Sequence, residues 1–300
     1  MISRRKKYYA QLVFGEDTRI YHFIKSMYTA GYRKKYILDT KKYIRWFEEQ
    51  PNEPLFQGIE IETINRCNGT CPFCPVNSQI DSRIFSKMSS VLFHKIINQL
   101  SDIEYKGTIA LHSNNEPLLD NRLIDFAKYA RDKCKKAYIY LYSNGTLLTS
   151  EKLISLLVYL DCMYVSFYSD DVFEKNNAII KEWEDSLRKN NISLKRLKIN
   201  YRKRNEILSS RGGQSPNKNS LENQSSSKMP CLEVFKTMVI RPTGKCSLCK
   251  CDALGSITMG DANVQSLVEI WHNEKYKNIR RKLMENRLYG ICKECDFPIY

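Results

Sequence analysis

The chain has 300 residues, 42% of them hydrophobic, and its 48 Lys and Arg outweigh 33 Asp and Glu to a formal charge of +15. That length allows one large domain with a smaller appendage. The longest apolar run, Leu153 to Leu160, falls well short of the ~20 residues of a membrane span, and Met1–Lys7 lacks the apolar core of a signal peptide, so a cytoplasmic, non-membrane protein is expected. The positive charge is a weak pointer to an anionic substrate, phosphorylated or peptidic. Eleven cysteines are too many for a reducing compartment unless they ligate metal or do redox work. Eight of them cluster, at 67/71/74, 246/249/251 and 292/295.

Residues 1–57 are basic and Tyr-rich, with helical apolar spacing over Tyr32–Leu38 and Tyr43–Phe47. A solvated helix pair is expected there, closed by Pro51 and Pro54. From Gly58 to Tyr201 strand-like and helix-like stretches alternate. The strands are Gly58–Ile64, Gly107–Leu111, Ala137–Tyr142, Met163–Phe167 and Leu194–Tyr201; the helices are Ser90–Leu100, Arg122–Lys133, Ser150–Leu160 and Asp171–Asn190. Leu92, Ile96 and Leu100 give the first helix one apolar face, and Thr149 is placed to cap the third. Such alternation implies parallel strands with right-handed crossovers, too few to close an eight-stranded barrel. The expectation is α/β: a partial (β/α)6, TIM-like barrel over residues 58–208. Residues 209–228, rich in Ser, Asn, Gln and Gly, read as a flexible linker or lid, leaving 229–300 as a C-terminal unit.

Ligands of parallel α/β sheets sit at the carboxyl ends of the strands. The loop after the first strand carries Cys67, Cys71 and Cys74 at C-x3-C-x2-C spacing. Structural zinc takes four ligands, and no fourth Cys or His follows nearby; a [4Fe–4S] cube held by three thiolates keeps one iron open. The motif, with Phe73 before its third cysteine, resembles the cluster loop of the radical S-adenosylmethionine (SAM) superfamily. Later segments fit in family order. His112-Ser113-Asn114-Asn115-Glu116-Pro117 is similar to the family's Gly-Gly-Glu-Pro turn, with Asn114 and Asn115 in place of the glycines; Asn tolerates the left-handed backbone such a turn is expected to need. Ser143-Asn144-Gly145-Thr146-Leu147-Leu148 resembles its Thr-Asn-Gly-Thr-Leu-Leu stretch. The resemblance implies SAM contacts from Phe73, Asn114, Asn115, Glu116, Ser143, Asn144 and Ser166.

After the linker, Cys231, a strand over Phe235–Arg241, a Pro242-Thr243-Gly244 turn and Cys246, Cys249 and Cys251 suggest a hairpin. A helix over Ser266–Leu288 and the closing Cys292-Lys293-Glu294-Cys295 follow. The Cys231, Gly244 and Cys249 spacing, the Ile270-Trp271 helix and the final C-x2-C resemble the SPASM/twitch auxiliary-cluster domains found behind radical SAM cores. On that resemblance Cys231, Cys249, Cys292 and Cys295 hold a second [4Fe–4S] cluster, with Cys246 the competitor for Cys249 and Cys251 left over; zinc remains the alternative on spacing alone. Cys134 and Cys162 read as core thiols.

The activity implied is reductive SAM cleavage to a 5′-deoxyadenosyl radical, hydrogen abstraction from substrate, and oxidation of the substrate radical through the auxiliary cluster, with an electron donor such as flavodoxin or ferredoxin. A short N-terminal region favours a small-molecule alcohol or sugar over a ribosomal peptide or protein. The rival from another class is a zinc-bearing nucleic-acid-binding protein that uses the basic N-terminus for phosphates.

Overall fold

The computed structural model describes residues 19–50, 52, 54–168, 172–202, 209–217, 231–285 and 289–296. The Met1–Lys7 stretch and residues 218–228 of the expected linker lie outside them. In chain order the elements are α1 (Arg19–Glu48), β1 (Gly58–Ile61), α2 (Ser90–Asp102), β2 (Thr108–Ala110), α3 (Leu123–Lys133), β3 (Tyr138–Ser143), α4 (Ser150–Leu157), β4 (Cys162–Tyr168), α5 (Val172–Lys189) and β5 (Leu197–Arg202). The C-terminal region adds α6 (Glu233–Lys236), β6 (Thr237–Ile240), β7 (Lys245–Ser247), β8 (Thr258–Asp261), α7 (Leu267–Trp271) and α8 (Glu274–Met284).

One open sheet holds all eight strands in the order β5-β4-β3-β2-β1-β6-β7-β8. The first six are parallel and β7 and β8 antiparallel. The fold is thus the expected α/β, parallel-dominated and unclosed. Its sixth parallel strand lies beside β1, with Ile59 opposite Met238 and Ile61 opposite Ile240, so the C-terminal unit extends the barrel sheet instead of starting a separate one.

The sheet is apolar on one face only. Ile59, Ile61, Ile109, Leu111, Ile139, Leu141, Met163 and Val165 are almost fully buried, as are Phe93, Ile96, Phe126, Leu153, Leu157, Trp183 and Leu187 of the crossover helices in the same core cluster. Phe93 and Phe126 stack at 4.0 Å between α2 and α3. Removing a buried aliphatic side chain from such a layer costs about 2–5 kcal/mol. Caps fix where the helices begin: Ser89 accepts from the Leu92 N–H and Thr149 from the Lys152 N–H, each satisfying a donor that the first turn leaves open.

Three expectations change. Among the described residues, Tyr32–Leu38 and Tyr43–Phe47 of the expected helix pair lie in one helix, α1, whose Tyr43 hydroxyl donates to the Phe235 carbonyl while Phe47 meets Phe235 edge-on at 5.2 Å. The Ser266–Leu288 helix is two helices, because Asn273 accepts from the Tyr276 N–H and starts α8 afresh; asparagine competes with helix continuation by capping. Residues 209–217, expected to be flexible linker, are pinned: Ser209, Ser210 and Ser215 are buried, Ser215 donates to the Phe73 carbonyl at 2.8 Å, and Ser210 donates to Asp296 and to the Glu294 carbonyl. Small polar side chains serve here as partners for buried backbone rather than as a soluble tether.

Candidate active site

The Cys67–Cys74 loop leaves the carboxyl end of β1 and folds on its own hydrogen bonds. The Cys74 N–H donates to the Cys71 carbonyl, Ser78 to the Gly69 carbonyl, and Asn77 Nδ2 to the Cys71 carbonyl. Gly69 lies against two sulfurs: a Cβ there would stand 3.3 Å from Cys67 Sγ and 3.8 Å from Cys71 Sγ. Burial pushes the Cys67 thiol up to about 12, with the Gly69 N–H opposing and the charges of Glu116, Cys74 and Cys71 adding to it. Such thiols ionise when a metal displaces their protons. Phe73 is buried with its ring 5.5 Å from Tyr168 and packs the loop against the sheet.

Glu116 organises the next two loops. It is 1% exposed; Oε1 accepts from Ser143 Oγ at 2.8 Å and the Leu118 N–H at 3.1 Å, and Oε2 from the Asn144 N–H at 2.7 Å. Its own N–H donates to the Arg66 carbonyl beside Cys67. Burial raises its pKa and these donors draw it back. Asn144 Nδ2 donates to Asn68 Oδ1 at 2.8 Å, within the cysteine loop. The turn passes Gly145 at φ +78, where a Cβ would strike Val165 at 2.6 Å.

Asn114 and Asn115 behave differently from expectation. Neither has positive φ, so the turn does without a left-handed residue. Asn114 faces the C-terminal unit, donating to the Lys250 carbonyl at 3.1 Å and accepting from Arg211 at 2.7 Å. Asn115 accepts from the Ser113 N–H, while its buried Nδ2 has no acceptor among the described residues. Ser166 is buried on β4 opposite Asn200.

The C-terminal thiols gather as a group of five. Cys249 is hydrogen-bonded to Cys251 and feels the charges of Cys231, Cys292 and Cys295; Cys251 is also hydrogen-bonded to Cys295. Cys246 stands apart: besides burial, the groups acting on it are Arg241 and Asp261. Gly244, at φ +84 with Asn263 Nδ2 2.2 Å from a would-be Cβ, makes the turn that brings Cys249 round. Cys251, left over on the resemblance, therefore lies with the thiols, whereas Cys246 faces Arg241 and Asp261 instead. Among the described residues no three His, Cys, Asp or Glu side chains converge on a single-ion position; a cube is instead held at separate corners, one thiolate per iron.

The sheet face away from the helices is the surprise. Parallel strands are ordinarily apolar on both sides. Here Glu60, Glu62, His112, Tyr140, Tyr142, Tyr164, Ser166, Lys198, Asn200 and Arg202 occupy the alternate positions of β1 to β5 and their extensions, in register across the sheet. Tyr142 and Tyr164 stack at 4.4 Å. His112 accepts the Tyr142 N–H on Nδ1; burial, aided by the Lys250 charge, pushes it down to about 3, so the imidazole is neutral. Lys250, between Cys249 and Cys251, pairs with Glu233 at 3.2 Å. Sequence reasoning missed this surface, although the alternation in Gly-Ile-Glu-Ile-Glu (58–62) and Tyr-Ile-Tyr-Leu-Tyr (138–142) carries it.

Fold and site together define an α/β protein with three thiols at the head of a parallel sheet, five more in an appended unit, and a polar face at the junction. Comparison with known proteins makes the class specific. Residues 61–200 match the model described as the radical SAM superfamily, and residues 231–296 match SPASM, an iron–sulfur cluster-binding domain. The chain belongs to the radical SAM superfamily and carries a SPASM domain; it is an enzyme that uses SAM, a [4Fe–4S] cluster and auxiliary iron–sulfur. It is 26% identical over 247 residues to the S-adenosyl-L-methionine-dependent 2-deoxy-scyllo-inosamine dehydrogenase of Niallia circulans, covering 81% of this chain and 94% of the relative. Its fold resembles BtrN in complex with AdoMet and 2-DOIA (TM-score 0.67, 24% identity, 81% and 93% coverage). It also resembles native anSMEcpe with bound AdoMet (TM-score 0.54, 12% identity, 81% and 89% coverage). No helix among the described residues is long and apolar enough to cross a membrane.

Proposed function

We propose that the protein dehydrogenates a secondary alcohol of a small polyol or aminocyclitol, giving a ketone. The observation that carries this is the polar, tyrosine-lined sheet face between the two thiol sets. Tyrosine rings suit the C–H faces of a saturated ring, and Glu60, Ser113, Asn200 and Lys250 suit its hydroxyls. The relative of N. circulans, named for oxidation of a cyclitol amine, supports the same class.

Cys67, Cys71 and Cys74 would hold the first cluster. Cys231, Cys249, Cys292 and Cys295 would hold one auxiliary cluster, with Cys251 hydrogen-bonded at its edge. When bound, the first cluster and SAM supply a 5′-deoxyadenosyl radical. The chain's own part is to shape the pocket. Glu116 locks the Ser143–Asn144 turn against the cysteine loop, Asn115 Nδ2 offers an uncommitted donor to the SAM carboxylate, and Phe73 and Ser215 close the side. A small acidic electron carrier, flavodoxin or ferredoxin, suits a chain of charge +15.

The test is anaerobic incubation of dithionite-reduced protein with SAM and 2-deoxy-scyllo-inosamine deuterated at its carbinol carbons. Deuterium in 5′-deoxyadenosine together with a ketone product is the expected result. Formation of 5′-deoxyadenosine without deuterium from this or any other cyclitol or sugar alcohol refutes the reading.

A further inference from the structure

We propose that Glu60 is the catalytic residue that takes the hydroxyl proton of the substrate as the alcohol becomes a ketone. The inference rests on the dehydrogenase reading and adds to it the group that handles the proton.

Of three carboxylates at the junction, two are committed. Glu62 is paired with Arg83 at 3.1 Å and Glu233 with Lys250 at 3.2 Å. Glu60 is 8% exposed yet makes no ion pair within 4 Å among the described residues. Its Oε2 accepts from Ser113 Oγ at 2.7 Å, and its Oε1 takes no hydrogen bond from any of them. A glutamate this buried is normally paired, so a half-satisfied one on a polar sheet face has its free oxygen available to a ligand.

Its place fits the task. Ser113 opens the loop that ends in Glu116, on the SAM side, and Lys250 stands between two thiols of the auxiliary group. Glu60 therefore lies between the two cofactor sites. Its rung neighbours, Ala110 and Val239, carry no polar side chain to pair with the carboxylate. Burial raises its pKa, Lys250, Ser113 and Arg211 draw it down, and Glu233 raises it. The net shift is upward, toward the range where a base works best at neutral pH.

The step balances as follows. The carbinol hydrogen leaves as an atom to the 5′-deoxyadenosyl carbon. The O–H bond then breaks with its proton going to Glu60 and its electron pair completing the C=O bond. The one surplus electron leaves to an iron–sulfur cluster, the one-electron oxidant.

Glu60→Gln separates the parts. The variant is expected to keep its iron content and its deuterium transfer into 5′-deoxyadenosine, while ketone formation falls by about 10²–10⁴-fold, the share of a general base. Glu60→Asp restores part of the rate, and the rise of wild-type ketone formation with pH disappears in Glu60→Gln. The groups facing Glu60 in that profile are Lys250, Glu233, Arg211, Ser113, Tyr140 and the neutral His112. Ketone formation by Glu60→Gln within about threefold of wild type, far inside the range a general base supplies, overturns the proposal and leaves the dehydrogenase reading standing. Loss of iron from Glu60→Gln and Glu60→Asp alike makes the residue structural and overturns it too. Absence of deuterium transfer in the wild type removes the reading on which it rests.

Discussion

Arg83 ties together the parts of the molecule that carry the chemistry. Its guanidinium donates to both oxygens of Asp81, to Glu62 Oε1, and to the carbonyls of Asn65, Asn114 and Ala253, at 2.9 to 3.4 Å. Those carbonyls belong to the approach to the cysteine loop, to the loop after β2 and to the C-terminal unit. The side chains are 10%, 2% and 3% exposed for Arg83, Glu62 and Asp81. Arg83→Met keeps the volume and removes the cation, stranding a buried carboxylate, a change that costs about 3–5 kcal/mol. With an unfolding entropy of about 0.6 kcal/mol/K for a chain of this length, the melting temperature falls by about 5–8 °C. The pH dependence follows from Glu62, which burial pushes up to about 7 despite Arg83 drawing it down. Its folded pKa exceeds its unfolded value of 4.5, so its contribution is complete below that value and is lost as pH rises through about 7. Without Arg83 the folded value climbs further, and the deficit of the variant is larger at pH 8 than at pH 6. Anaerobic circular-dichroism melts at the two pH values measure this. A loss under ~1 kcal/mol, or a deficit that shrinks with rising pH, refutes the reasoning. Arg83→Lys recovers little of the loss, because a single ammonium cannot reproduce the fork.

Three further outcomes are expected. Cys249→Ala removes about four irons per chain, one cube's worth, by colorimetric iron assay; Cys246→Ala removes none; and Cys251→Ala keeps the iron but lowers the auxiliary reduction potential, since a hydrogen bond to a ligating sulfur is lost. Equal iron loss from Cys251→Ala and Cys249→Ala makes Cys251 a ligand instead. Glu116→Gln places an amide where three donors converge and weakens SAM binding by about 10–100-fold, the usual effect of disturbing outer-shell support, by calorimetry on cluster-loaded protein; unchanged affinity refutes its role. Gly145→Ala, strained at φ +78 and meeting Val165 at 2.6 Å, costs about 1–3 kcal/mol from backbone strain and overpacking, read as a fall in urea midpoint.

What could be read without coordinates was local in sequence. The three-thiol loop, Glu116 and the Ser143–Asn144 turn each sit just after an apolar strand, so period and punctuation place them at one end of the sheet. The missed features depend on pairing across distance. Arg83 looks like any surface arginine until Asn114 and Ala253 are brought to it. Cys251 looks spare until the chain folds Cys295 beside it. Residues 209–217 have the composition of a tether until the Phe73 and Glu294 carbonyls and Asp296 turn their serines into partners. Glu60 was open to reading, because a carboxylate alternating with isoleucines in a parallel strand contradicts burial on both faces.

The pairing of β6 with β1 carries the two thiol sets on one continuous sheet. Because the strands are parallel, the carboxyl end of β6 emerges beside that of β1, so the Gly244 turn opens at the end of the sheet from which the Cys67 loop leaves, and antiparallel β7 carries the chain back to set Cys249 and Cys251 with Cys231, which precedes β6. Had β6 paired antiparallel, the same turn would open at the opposite end of the sheet, behind the closed ends of the crossovers. The register matters as much as the direction. Glu60 stands opposite Val239 and Ala110, with Ile59 and Ile61 on the helix side; a one-residue slip would turn Glu60 into the helix core and an isoleucine toward the substrate. The deep burial of Met238 and Ile240 against that core holds the register, so packing on the apolar face sets the chemistry presented on the polar one.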